Sequence, residues 1–151
     1  KYQEAINLGL ELLKKTPEDS GVHINLMDAY FKLREQHPDY INKSNYHAKQ
    51  AIIYGHNTGY AEERLAKNLD KEKKYHLSLQ LYNLILNTEG FHFSTHGCGN
   101  IIDWEKRRKN IIKNMDKATD KENDILFTED EISKIIKTIY NDDIKENKTF
   151  E

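Results

Sequence analysis

Apolar residues recur along this chain at helical spacing over most of its length. Residues 2 to 15 place Tyr2, Ala5, Ile6, Gly9, Leu12 and Leu13 on one stripe, the i, i+3, i+4, i+7 spacing of an amphipathic helix. Thr16-Pro17 ends it, because proline disfavours helical geometry at the residue before it. A second helix is predicted from about Ser20 to Glu35, carrying Ile24, Leu26, Met27, Tyr30, Phe31 and Leu33, with Pro38-Asp39 as its break. A third runs to about Tyr54 through Ile41, Ala48, Ala51 and Ile52, before the turn-rich run Gly55-His56-Asn57-Thr58-Gly59. A fourth, roughly 59 to 71, carries Ala61, Leu65, Ala66 and Leu69. The fifth, from Tyr75 to about Asn87, is apolar around much of its circumference, so neighbours must cover it on more than one side.

Two further helices follow. Asn100 with Asp103 forms an N-cap pair ahead of Ile101, Trp104, Ile111, Ile112 and Met115. After a polar, turn-like stretch from 116 to 124, Thr128 and Glu131 make a capping box, with Phe127 and Ile132 placed as its hydrophobic staple. Ile132, Ile135, Ile136, Ile139 and Tyr140 continue one stripe, and the nearly all-polar residues 141–151 are expected to be a frayed tail. No alternating run bounded by hairpin turns occurs, so the expected class is all-α with about seven helices.

The helices carry an internal repeat. Leu12, Ala51 and Ile85 share a column, as do Ala5, Ser44 and Ser78, and Pro17, His56 and Gly90. Among the preceding helices, Leu26-Met27-x-x-Tyr30 aligns with Leu65-Ala66-x-x-Leu69. These columns resemble the tetratricopeptide repeat, a helix pair with a period of about 34 residues. Residues 1–18 then look like the second helix of an incomplete repeat. Residues 19–57 look like a full repeat with a short insertion, and 58–90 like another. The connector 91–99, a divergent capping helix pair at 100–140 and the polar tail 141–151 complete the expected organisation. Small residues at 5, 44 and 78 permit close helix approach. The resemblance implies a right-handed α-α superhelix whose first helices line a concave, non-catalytic, peptide-binding surface. On this chain that surface would present Ile24, Asp28, Phe31 and Lys32, then Tyr60, Glu63, Lys67 and Lys71. Asp28 and Glu63 argue against a clamp for a terminal carboxylate.

Composition narrows the function classes. With 37% hydrophobic and 32% charged residues, the 151-residue chain suits an elongated array with much surface. A net charge of −2 gives no general drive toward nucleic acid or an anionic membrane. No apolar run is long enough to span a bilayer, and the first residues lack the apolar core of a signal peptide. A cytoplasmic location is expected. The single cysteine, Cys98, excludes an intrachain disulfide framework. The chain starts without Met, so it reads as a fragment or processed form.

The connector is the one segment with candidate chemistry. His92, His96 and Cys98 are competent zinc ligands, with His76 or a carboxylate needed to complete a four-ligand site. A Cys98 thiol with His92 or His96 as base is the enzymatic version. The bland reading is a connector whose phenylalanines plug the stack. No cofactor or metal is expected. Lys106-Arg107-Arg108-Lys109 could touch RNA beside Trp104, but four consecutive helical residues spread around the circumference, and a solvated face accounts for them better. The expected work is non-covalent: a protein- or peptide-binding scaffold or adaptor, with a peptide-sensing regulator as the alternative, and a homodimer possible through the exposed first helix.

Overall fold

The computed structural model describes residues 1–55, 58–91, 93 and 99–149. Among them no strand occurs. Seven α-helices form: α1 (Tyr2–Lys15), α2 (Ser20–Lys32), α3 (Tyr40–Ile53), α4 (Tyr60–Lys71), α5 (Tyr75–Asn87), α6 (Ile101–Lys113) and α7 (Glu129–Thr149). Their starts follow local chemistry. The Asp19 carboxylate accepts from the Val22 N–H at 3.1 Å. At α6, Asn100 and Asp103 exchange side-chain and backbone hydrogen bonds at 3.0 and 3.1 Å. Thr128 and Glu131 do the same at 3.2 and 2.9 Å ahead of α7. Each box satisfies donors that a helix start leaves orphaned. At α4 the N-cap is Gly59 with φ +87°, a left-handed conformation that a side chain would strain.

Two boundaries differ from the periodicity. α2 stops at Lys32 rather than near Glu35, because the Arg34 N–H turns back to the Phe31 carbonyl at 3.2 Å and tightens the last turn. The segment after Tyr140, expected to fray, continues α7 to Thr149. It contains neither Gly nor Pro, so no strong breaker stops a helix already nucleated by the Thr128 box.

From α1 to α6 each helix packs on the next. The small-residue column marks the crossings. Ser44 Oγ donates to the Met27 carbonyl at 2.9 Å between α3 and α2. Ser78 Oγ and Tyr82 Oη (2.7 Å) both donate to the Asp70 carboxylate between α5 and α4. Leu26, Leu65 and Trp104, evenly spaced on α2, α4 and α6, are all wholly buried. The main core runs from Met27 through Ile52, Leu65, Leu81 and Trp104 to Ile135. A separate small cluster of Ile6, Leu26, Ala29 and Tyr30 joins α1 to α2. Gly9 allows that approach, since a Cβ there would sit 2.7 Å from Leu26 Cδ2.

Where the spacing predicts a closing helix pair, α6 packs on α5 while α7 crosses back to α3. The return segment is strapped over the α4–α5 turn. Thr119 N–H and Oγ1 donate to the Lys73 and Glu72 carbonyls, each at 2.8 Å. The Asp120 carboxylate accepts from the His76 and Leu77 N–H groups at 3.0 and 2.9 Å, capping the start of α5 from a distant part of the chain. Gln80 holds the Asp124 carbonyl and the Leu126 N–H at 2.6 and 3.0 Å. α7 then buries Ile135 and Ile139, with Lys134 Nζ 4.5 Å above the Tyr54 ring.

A buried histidine pair links the α1–α2 turn to α3. His23 Nε2 lies 2.9 Å from the Pro17 carbonyl, and His23 Nδ1 lies 2.9 Å from His47 Nδ1. The carbonyl accepts only, so His23 Nε2 carries a proton, and the Nδ1–Nδ1 contact holds one proton between the two rings. Burial first, then the neighbouring His23 and Lys43, lowers the His47 pKa to about 4.

Candidate functional site

Side chains tie α2 to α4 and α4 to α6. Tyr60 Oη donates to the Asp28 carboxylate at 2.7 Å, joining α4 to α2. Burial and this bond push the Tyr60 hydroxyl up to about 12. One turn along, the guanidinium carbons of Arg64 and Arg34 stand 3.7 and 3.9 Å from the centroid of the Phe31 ring. Two guanidinium planes cannot share one ring face at that distance, so Phe31 is held between them. Arg34 is pinned there by donating to the Phe31 carbonyl at 2.9 Å. Within α4, Glu63 pairs with Lys67 at 3.0 Å; across to α6 it pairs with Arg107 at 3.6 Å, and the Arg107 guanidinium lies 5.2 Å from the Trp104 ring centroid.

The Phe31 clamp forms one wall of an open cavity of about 590 Å³. It lies between the C-terminal halves of α2 and α4 and the start of α3, with Pro38 and Ile41 as its apolar floor. Four cationic side chains (Arg34, Arg64, Lys67 and Lys71) face two carboxylates (Glu35 and Glu72) around it. Arg64 Nε is shielded from solvent and makes no hydrogen bond among the described residues.

The eight residues predicted for this surface separate accordingly. Phe31, Lys67 and Lys71 line the cavity. Asp28, Tyr60 and Glu63 hold the helix row together. Lys32 is exposed and is not part of the lining. Ile24 belongs to the main core rather than to an open face, since it points between α2 and its neighbours. Arg34 and Arg64 escaped the sequence pattern. An i, i+3 aromatic–arginine pair flags Arg34, whereas Arg64 needs the α2–α4 juxtaposition.

The remaining candidates disperse. His92, His96 and Cys98 lie outside the described residues. The His76 backbone N–H is held by Asp120, and among the described residues no group of three or more metal-competent side chains gathers. In the basic run, Arg107 turns to Glu63, Arg108 reaches Asn83 at 3.3 Å, and Lys106 and Lys109 are exposed. One buried carboxylate lies at the start of α4. Glu62 is 1% exposed, and its Oε1 has no partner among the described residues. Burial raises its pKa to about 8, against the opposing pull of the Glu62 and Gly59 N–H groups. No helix among the described residues is long and apolar enough to cross a membrane. Comparison of the chain with protein-family models, curated proteins and solved structures finds no match.

Proposed function

We propose that this chain is a non-catalytic, tetratricopeptide-like binding module. In this reading its helix pairs wind as a right-handed superhelix, and the row α2, α4, α6 forms the face that holds a segment of another protein. The observation that carries the proposal is the Arg34–Phe31–Arg64 clamp on an open cavity. The clamp is organised before any ligand arrives, so little side-chain ordering opposes binding. An aromatic residue between guanidinium groups, over an apolar floor, is the composition that dominates energetics at interfaces. The cationic excess suits an extended segment that alternates apolar with acidic residues.

A peptide library displayed against the folded chain tests this. Enriched sequences are expected to carry acidic residues beside an apolar anchor. Their affinity should fall at least tenfold on Phe31→Ala, which corresponds to about 1.4 kcal/mol. Enrichment of nothing, or of peptides indifferent to Phe31→Ala, contradicts the assignment.

A further inference from the structure

We propose that the Phe31 cavity takes a phosphorylated serine or threonine side chain of the partner segment, with Arg34, Arg64 and Lys71 binding the phosphate. The inference rests on the peptide-binding reading above and names the chemistry of its ligand. Arg64, Lys67 and Lys71 fall at i, i+3 and i+7, one stripe of α4 lining the cavity, and Arg34 reaches it from the end of α2. Not all of this charge is free. Lys67 pairs with Glu63 and Glu72 with Lys74, each at 3.0 Å. Among the described residues no carboxylate pairs with Arg34, Arg64 or Lys71. Three cations therefore face one remaining carboxylate, Glu35, an excess of two positive charges. The carbonyl ends of α2 and α4 each offset about half a unit of it, and the amide end of α3, which has no side-chain cap, restores about half. The remaining excess of about 1.5 units is more than a carboxylate neutralises. It is close to the charge of about −1.5 to −2 that a phosphorylated hydroxyl carries at pH 7.

The geometry agrees with the charge. Guanidinium carbons 3.7 and 3.9 Å from one ring centroid stand less than about 8 Å apart. A tetrahedral phosphate with a hydrogen bond of about 2.8 Å on either side spans a gap of that size. Stacking on a ring uses up no N–H group. Arg34 donates once, to the Phe31 carbonyl, and Arg64 has no acceptor among the described residues. Donors thus remain on both sides for the phosphate oxygens, and Lys71 adds a point charge on a flexible stem. Phe31 is the one aromatic residue among those lining the cavity, and both its faces are taken, so no ring face is left to stack a nucleotide base. Pro38 and Ile41 instead seat an apolar residue beside the phosphorylated one.

Three fluorescently labelled, degenerate peptide pools, alike except for a fixed central phosphoserine, serine or glutamate, test this by anisotropy. The phosphoserine pool is expected to bind at least about tenfold more tightly than either of the others at pH 7. Its affinity should fall as pH drops from about 7 to about 5, because the phosphate gains a proton near pH 6, while glutamate-pool binding changes little. Arg64→Lys keeps the charge and loses the planar fork, and Lys71→Ala removes an exposed charge. Each should cut the preference for phosphoserine over glutamate at least about threefold while the helical circular-dichroism spectrum is kept. Glutamate binding as tightly as phosphoserine overturns the phosphate assignment and leaves the acidic-peptide reading standing, whereas binding by no pool removes both. A phosphoserine preference untouched by either substitution puts the phosphate elsewhere and overturns the site. Tighter binding to phosphatidylcholine vesicles carrying a phosphoinositide than to the phosphoserine pool, lost on Lys71→Ala, overturns a peptide as the source of the phosphate.

Discussion

His47 and Glu62 are both held neutral by burial, but one is a base and the other an acid, so they bias stability against pH in opposite directions. For His47 the folded pKa is lowered to about 4 from 6.5. The unfolded chain therefore takes up a proton first as pH falls from 6.5 toward 4, and stability is lost across that window. For Glu62 the folded pKa is raised to about 8 from 4.5. The folded chain keeps a proton that the unfolded chain has released, so stability is lost as pH rises from 4.5 toward 8. Because the wild-type profile sums the two, substitutions separate them. Glu62→Gln should match wild type near pH 4.5 and exceed it increasingly toward pH 8, by on the order of a few kcal/mol in urea unfolding. His47→Asn keeps a donor near the Nδ1 position and removes the titration. Its unfolding free energy should decline less than that of wild type between pH 6.5 and 4.5. Parallel curves for variant and parent would remove either assignment. Neither residue was legible as special: His47 and Glu62 sit in polar-looking stretches, and only the packing of α3 and α4 against their neighbours buries them.

At the scale of elements, what the chain discloses depends on how local the cause is. The boxes at Asn100–Asp103 and Thr128–Glu131, three residues wide, were readable, as were the stripes that become α1 to α6. The strap was not. Asp120 caps α5, although that helix begins 45 residues earlier in the chain, and nothing at Lys74 or Tyr75 announces a missing cap. The closing helices misled for the same reason: with the strap invisible, α6 and α7 look like neighbours. Asp120→Ala should cost about 1 kcal/mol, the usual value of a lost N-cap. Hydrogen exchange should show faster opening of the His76 and Leu77 amides, while amides in the middle of α2 keep their relative protection. Unchanged exchange at 76 and 77 would mean that the cap contributes nothing.

On the scale of the whole molecule, the all-helical stack was legible because buried residues recur in register, Leu26 with Leu65 and Ser44 with Ser78. The proposed binding face was legible only in part. Phe31, Lys67 and Lys71 were found on it, but Ile24 faced inward, and Arg64 gains meaning only once α4 lies beside α2 and its guanidinium covers Phe31. Single-sequence periodicity separates buried from exposed, and it cannot say which exposed side chains of two helices converge. The proposed function requires a partner segment to sit in the α2–α4 cavity. Amide chemical-shift mapping of the isotope-labelled chain, titrated with a peptide selected on it, reads this residue by residue. The largest shifts are expected at Phe31, Arg34, Arg64 and Lys71, with α7 silent. Shifts concentrated in the α1–α2 groove, or between the end of α5 and α7, would contradict it.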